Sequence, residues 1–102
     1  MQELKENIQE AASFLKGLAS EHRLSILCVL AGGECCVSDL QAETGLPQTS
    51  VSQHLVKLKD EGIVDFRREH RTLYYYICDE TAKKILKVLC LDFASTKTPK
   101  RK

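Results

Sequence analysis

The chain is poor in the residues that interrupt regular structure, with two prolines and five glycines among 102 residues. That scarcity, beside 43% hydrophobic and 28% charged residues, excludes a disordered tail or a low-complexity linker. There is no excess of either charge, because fifteen Lys and Arg face fourteen Asp and Glu for a formal balance of +1. Taken whole, this balance argues against a nucleic-acid binder, since such domains are often strongly basic. No apolar run approaches the ~20 residues that a membrane span requires. The first eighteen residues alternate charged with apolar side chains and lack the separate regions of a signal peptide. A cytoplasmic protein with no membrane partner is therefore expected. The length also leaves no room for a second core on the usual scale of ~100–150 residues per domain.

Cysteine, by contrast, is abundant: five residues, an odd number that cannot all pair within one chain. A reducing compartment disfavours a permanent disulfide scaffold. Buried structural thiols, metal ligands and redox-responsive thiols all remain open.

Apolar periodicity divides the chain into helices and one hairpin. Leu4, Ile8, Ala11, Leu15 and Leu18 recur at steps of three and four, with Glu3, Glu6 and Glu10 near the start, and predict a first helix. Ser20 is a good N-cap for a second helix over roughly 20–31, whose Leu24, Leu27, Cys28 and Ala31 share a face and which ends at Gly32-Gly33. A short third helix runs from Val37 to about Thr44, with Val37, Leu40 and Gln41 inward and Gly45 at its end. A fourth spans Gln48 to Glu61, with Val51, Leu55 and Leu58 toward a core. Its opposite face carries Thr49, Ser50, Gln53, Val56 and Lys57, so the N-terminal half presents hydroxyls and amides, which hydrogen-bond base edges and phosphates.

Two short helices joined by a tight turn at Gly45 make the helix-turn-helix pattern, whose second helix enters the major groove. Beyond Gly62, the runs Ile63 to Arg68 and Thr72 to Ile77 flank Glu69-His70-Arg71 and predict a β-hairpin wing. Its tip carries Arg67, Arg68, His70 and Arg71, suited to phosphates or a narrow minor groove. Ala82, Ile85, Leu86, Leu89 and Phe93 form a last helical stripe from about Glu80. The expected fold is mainly α with a small β-hairpin: one winged helix-turn-helix domain over 1–94, then a basic flexible tail over 95–102.

The charge distribution corrects the impression left by the total. Residues 1–46 hold three Lys and Arg against seven acids, and residues 47–102 hold twelve against seven. An acidic front half thus precedes a basic half that contains the reading helix and the wing.

Five segments together resemble the ArsR/SmtB family of bacterial winged-helix repressors. They are His22-Arg23-Leu24-Ser25-Ile26-Leu27, Gly33-Glu34-Cys35-Cys36-Val37-Ser38-Asp39-Leu40, Gln48-Thr49-Ser50-Val51-Ser52-Gln53-His54-Leu55, Asp60-Glu61-Gly62-Ile63-Val64 and the wing with Leu73-Tyr74-Tyr75. The wing tip departs from the family in lacking the glycine often found there. The resemblance implies a homodimer formed through the first and last helices, with two reading helices about one DNA turn apart on a palindromic, double-stranded operator. It places Gln48, Thr49, Ser52 and Gln53 on bases or backbone, His54 near them, and Arg67, Arg68 and Arg71 in the wing contacts.

The resemblance also bears on the inducer. Cys28 stands where the sulfide- and persulfide-responsive branch has its first reactive thiol, and Cys90 is the last helix's own cysteine. In that branch the second thiol would fall near Ala94, one turn beyond Cys90, a displacement of about 6 Å along the helix. Since a disulfide needs Cα atoms within ~7 Å, the displacement leaves open a polysulfide bridge or no pairing at all. The rival site is Cys35 and Cys36, because arsenic- and cadmium-responsive relatives carry Cys-Val-Cys where this chain has Cys36-Val37-Ser38. There a hydroxyl, a poor ligand for a soft metal, replaces one thiol. No histidine follows Asp79 and Glu80 to complete a family-type zinc site; the histidines are His22, His54 and His70. Cys78 is expected to be structural. The reading therefore requires no cofactor, with arsenite or a soft metal ion as the alternative. Phosphate-cradling glycine loops and nucleophile motifs are lacking, so an enzyme is not expected. The alternative of a different class is a dimeric interaction module that does not bind DNA.

Overall fold

The computed structural model describes residues 2–97, with side chains from Leu4 to Cys90. Five helices and one hairpin follow in the order α1 (Gln2–Leu18), α2 (Glu21–Ala31), α3 (Val37–Thr44), α4 (Gln48–Asp60), β1 (Val64–Glu69), β2 (Thr72–Ile77) and α5 (Glu80–Lys97). Helix α5 continues three residues past the expected end of the domain at 94. Ala94-Ser95-Thr96-Lys97 holds no helix breaker, and the first proline beyond it is Pro99. The side chain of Phe93, expected in the last helical stripe, and residues 98–102 of the expected tail lie outside the described residues.

Helix α2 is the hub. Ser20 caps it in an extended conformation, its Oγ accepting the Arg23 N–H at 3.3 Å. The expected single face proves too narrow: Ile26, Leu27 and Leu30 are buried, while Leu24, Val29 and Ala31 pack around that core half-buried and Cys28 is half-buried beside them in sequence. A helix that is apolar nearly all round is one enclosed by neighbours, and α2 meets α1, α3, α5 and β2. Leu40 of α3, Val51, Leu55 and Leu58 of α4, Ile63, Val64, Ile77, Ala82 and Leu86 complete the core. Burial of each such aliphatic side chain contributes roughly 1.5–3 kcal/mol before chain entropy is subtracted.

The turn of the helix-turn-helix is built from local chemistry. Gly45 takes a left-handed φ of 77° and donates its N–H to the Gln41 carbonyl at 2.8 Å, closing α3. Thr44 Oγ1 donates to the Leu40 carbonyl at 2.7 Å and accepts the Leu46 N–H at 3.2 Å. Pro47 then caps α4 with φ −66°, its carbonyl accepting the Val51 N–H at 3.1 Å.

The hairpin pairs Val64 with Ile77 at its base and Glu69 with Thr72 at its tip. His70 fills the tip with φ 60°, taking the conformation that glycine adopts freely. A single-residue β-bridge, not visible in the periodicity, joins the far edge of β2: Cys35 and Tyr75 exchange both backbone hydrogen bonds, at 3.1 and 2.8 Å. Leu4, Ile8 and Leu15 of α1 are more than half exposed, as is Val88 of α5.

Candidate nucleic-acid interface and thiol pair

Helix α4 separates its faces as its wheel requires. Val51, Leu55 and Leu58 are buried, whereas Gln48, Thr49, Gln53, Val56 and Lys57 are exposed. Ser50, Ser52 and His54 are half-buried on the flanks. Thr49, Gln53 and Val56 follow one another at steps of four and three, so they line one ridge. Two lysines, Lys57 and Lys59, close the helix, where cations suit its dipole. Lys59 also lies 5.4 Å from the Phe66 ring centroid and 3.6 Å from Asp65, bracing α4 against β1.

His54 belongs to a small polar group behind that ridge. Its ring meets His22 edge to face with centroids 6.2 Å apart. Burial lowers its pKa, and the nearby charges of Arg23, His22 and Lys57 push the same way, favouring the neutral ring. Arg23 forms an ion pair with Glu61, joining α2 to the end of α4. His22 and Glu61 were not singled out from the sequence, because their contacts link positions far apart in the chain.

The structure divides the four cationic wing residues. Arg68, His70 and Arg71 are exposed with no side-chain ion pair among the described residues. Arg67 is placed differently: its Nε donates to both Glu34 carboxylate oxygens at 3.0 and 3.1 Å, its Nη1 donates to Glu69 at 2.9 Å, and its Nη2 lies 2.9 Å from Glu34 Oε1 in an ion pair. The hydrogen bonds to Glu34 and then Glu69 push its pKa still higher. Glu34 was missed at the sequence level, since nothing in a Gly-Gly-Glu turn signals a partner 33 residues away.

Cys28 and Cys90 are joined in a disulfide with Cα atoms 5.5 Å apart, linking α2 to α5. The one-turn offset from Ala94 therefore neither keeps the thiols apart nor requires an intervening sulfur. Both residues are half-buried, and Cys90 packs against the core.

Cys35 and Cys36 diverge. Both lie in extended backbone, Cys35 in the bridge to Tyr75 and Cys36 as the N-cap of α3, and successive extended residues point to opposite sides. Cys35 packs against the core, where burial raises its pKa, followed by the effects of Asp39, Cys36 and Glu43. Cys36 Sγ instead lies 3.3 Å from Ser38 Oγ. Among the described residues no three His, Cys, Asp or Glu side chains cluster as a metal site. Cys78 is exposed, its Sγ donating to the Gly62 carbonyl at 3.4 Å.

Residues 20–65, from the cap of α2 to the start of β1, match the family described as bacterial regulatory protein, arsR family. The transcriptional activator HlyU of Vibrio cholerae serotype O1 is 36% identical over 87% of this chain and 82% of its own length. The chain belongs to the ArsR family. A biofilm growth-associated repressor of Agrobacterium fabrum is 35% identical over 90% of this chain and 79% of its own. In three dimensions HlyU from Vibrio vulnificus superposes with a TM-score of 0.84 at 37% identity, covering 90% of this chain and 96% of that one. A homodimeric winged helix-turn-helix domain, Mb0332 from Mycobacterium bovis, gives 0.74 at 28% identity, covering 100% and 94%. This ArsR-family chain is thus a winged helix-turn-helix transcriptional regulator that binds DNA. Its relatives include both an activator and a repressor. No helix among the described residues is long and apolar enough to cross a membrane.

Proposed function

We propose that this chain is a homodimeric repressor that reads a palindromic operator through α4 and the wing. Reactive sulfur species, by joining Cys28 to Cys90, release it. The observation that carries the reading is the meeting of these two thiols, 62 residues apart in sequence, on two helices. The exposed apolar residues of α1 and α5 support dimerisation through those helices, because a ~100-residue chain cannot bury them alone. Gln48, Thr49, Ser52 and Gln53 then face bases and backbone, flanked by Ser50 and His54, and Arg68, His70 and Arg71 face phosphates. A DNA reader of this kind works in the cytoplasm, where the pair stays reduced until an oxidant arrives.

The chemistry balances without a cofactor. One thiolate attacks the outer sulfur of a low-molecular-weight persulfide, forming a protein persulfide and releasing the small thiol. The second thiolate attacks the inner, protein-bound sulfur and expels hydrogen sulfide, leaving the disulfide. The two protein sulfurs lose two electrons, and the transferred sulfur gains them. The new bond ties the hub of the reading domain to a helix of the dimer surface and alters the spacing of the two α4 helices.

Arsenite or a soft metal at Cys35 and Cys36 has less support, because the two sulfurs diverge. The deciding experiment measures operator binding by fluorescence anisotropy, with intact mass, after persulfide or arsenite treatment of the wild type, Cys28→Ser and Cys90→Ser. Release by persulfide that needs both thiols is expected. Release that survives both substitutions rejects the thiol pair, and an arsenite adduct needing Cys35 or Cys36 favours the metal reading. Equal affinity for selected and random duplexes would leave a dimeric module that does not read DNA.

A further inference from the structure

The Arg67 side chain runs across the wing rather than out from it. Its guanidinium lies 4.8 Å from the Tyr74 ring centroid, on the residue paired directly opposite in β2, and ends on Glu34 beyond. Glu34 immediately precedes Cys35, whose backbone bridges Tyr75, and Cys36, which caps α3. Arg67 therefore links β1, across β2, to the segment that begins the helix-turn-helix. All three of its nitrogens already have carboxylate partners. Two carboxylates about one guanidinium leave a net negative charge locally, which repels a phosphate.

An exposed ion pair adds little to stability, but charge-assisted hydrogen bonds from one guanidinium to two carboxylates fix its geometry. That matters here because the wing and α4 must meet the same duplex at once. We propose that Glu34 and Arg67 form a clamp setting the wing's angle to the helix-turn-helix, and that Arg67 is a positioning residue that does not touch DNA. Arg68, His70 and Arg71 remain the phosphate-facing groups. The proposal rests on the DNA-binding reading and refines its wing.

The test uses the reduced full-length dimer and a duplex selected by the wild type from a random pool. Affinity is measured against salt for Glu34→Gln, Arg67→Gln and the double variant. Thermal melting checks that each is folded. Removing a carboxylate from a DNA-binding surface should by charge alone tighten binding. The clamp requires the reverse: Glu34→Gln and Arg67→Gln weaken binding several-fold to a similar extent, and the double variant is no worse than either. Because Arg67 neutralises no phosphate, the salt slope stays that of the wild type. Were Arg67 a phosphate contact merely held back by Glu34, Glu34→Gln would tighten binding, and Arg67→Gln would lower the slope by about one per arginine. Either result overturns the clamp, as do unchanged affinity in Glu34→Gln and additive losses in the double variant. Failure to select any duplex would remove the DNA-binding reading and the clamp with it.

Discussion

Cys28 and Cys90 close a covalent loop of 62 residues that contains the whole helix-turn-helix and the wing. Closing a loop of this length restricts the unfolded chain and stabilises the folded one by about 2–4 kcal/mol. Urea denaturation at fixed protein concentration should show that gain on oxidation of the wild type. Cys90→Ser should behave alike with and without reductant. Equal midpoints for oxidised and reduced wild type would mean that the bond relieves no chain entropy.

Contacts to bases and to phosphates should separate under salt titration. Gln53→Ala is expected to cost ~1–3 kcal/mol on the selected operator and little on random DNA, as for a side chain that reads a base edge. Arg71→Ala should weaken both duplexes alike and lower the salt slope by about one per arginine. A uniform loss in Gln53→Ala would move that residue from the bases to the backbone.

His54 should make stability depend on pH. The unfolded chain takes up this proton near pH 6.5, and the folded protein only at lower pH, because burial and then the neighbouring charges depress the imidazole. Stability from the neutral ring is therefore present above pH 6.5 and lost as the pH falls toward the folded value. Between about pH 7 and pH 5 the melting temperature of the wild type should fall more steeply than that of His54→Gln. Parallel curves would show that the ring is not held neutral.

Gly45→Ala tests the turn. A side chain at φ 77° costs about 1–2 kcal/mol, without loss of any buried contact. A lowered melting temperature with unchanged helix content in circular dichroism is expected. An unshifted melting temperature would show that the turn tolerates a Cβ.

The free thiols should differ in reactivity. Cys78 is exposed, whereas Cys35 is half-buried with its pKa raised by that burial and by Asp39, Cys36 and Glu43. Iodoacetamide labelling of the oxidised protein, followed by peptide mass analysis, should modify Cys78 well before Cys35. Faster labelling of Cys35 would contradict its packing against the core.

Local chemistry explains what was legible in the sequence. Ser20 and Gly45 mark helix ends with their own side chain or backbone freedom, so these boundaries could be read from single residues. Asp79, not read as a cap in the sequence, opens α5 by accepting the Ala82 N–H at 2.9 Å. Val51, Leu55 and Leu58 placed α4 because one apolar stripe suffices for a helix covered on one side. The same logic failed for α2, where Ile26 and Leu30 are buried outside the expected face because several elements surround the helix. Arg67 looked like a tip cation because its charge was visible and its partner, 33 residues earlier, was not. Cys90 stands one turn from the expected register, yet only packing of α5 on α2 could tell whether the sulfurs meet.

The short pairing of Cys35 with Tyr75 has a consequence for solubility. An isolated two-stranded hairpin is marginal in water and offers two open edges to other chains. Covering the outer edge of β2 leaves β1 as the open one, and there Arg67, Arg68 and Glu69 stand in succession. Charged side chains along an open edge discourage another strand from adding to it. The exposed wing is thereby kept from recruiting its own copies into a growing sheet.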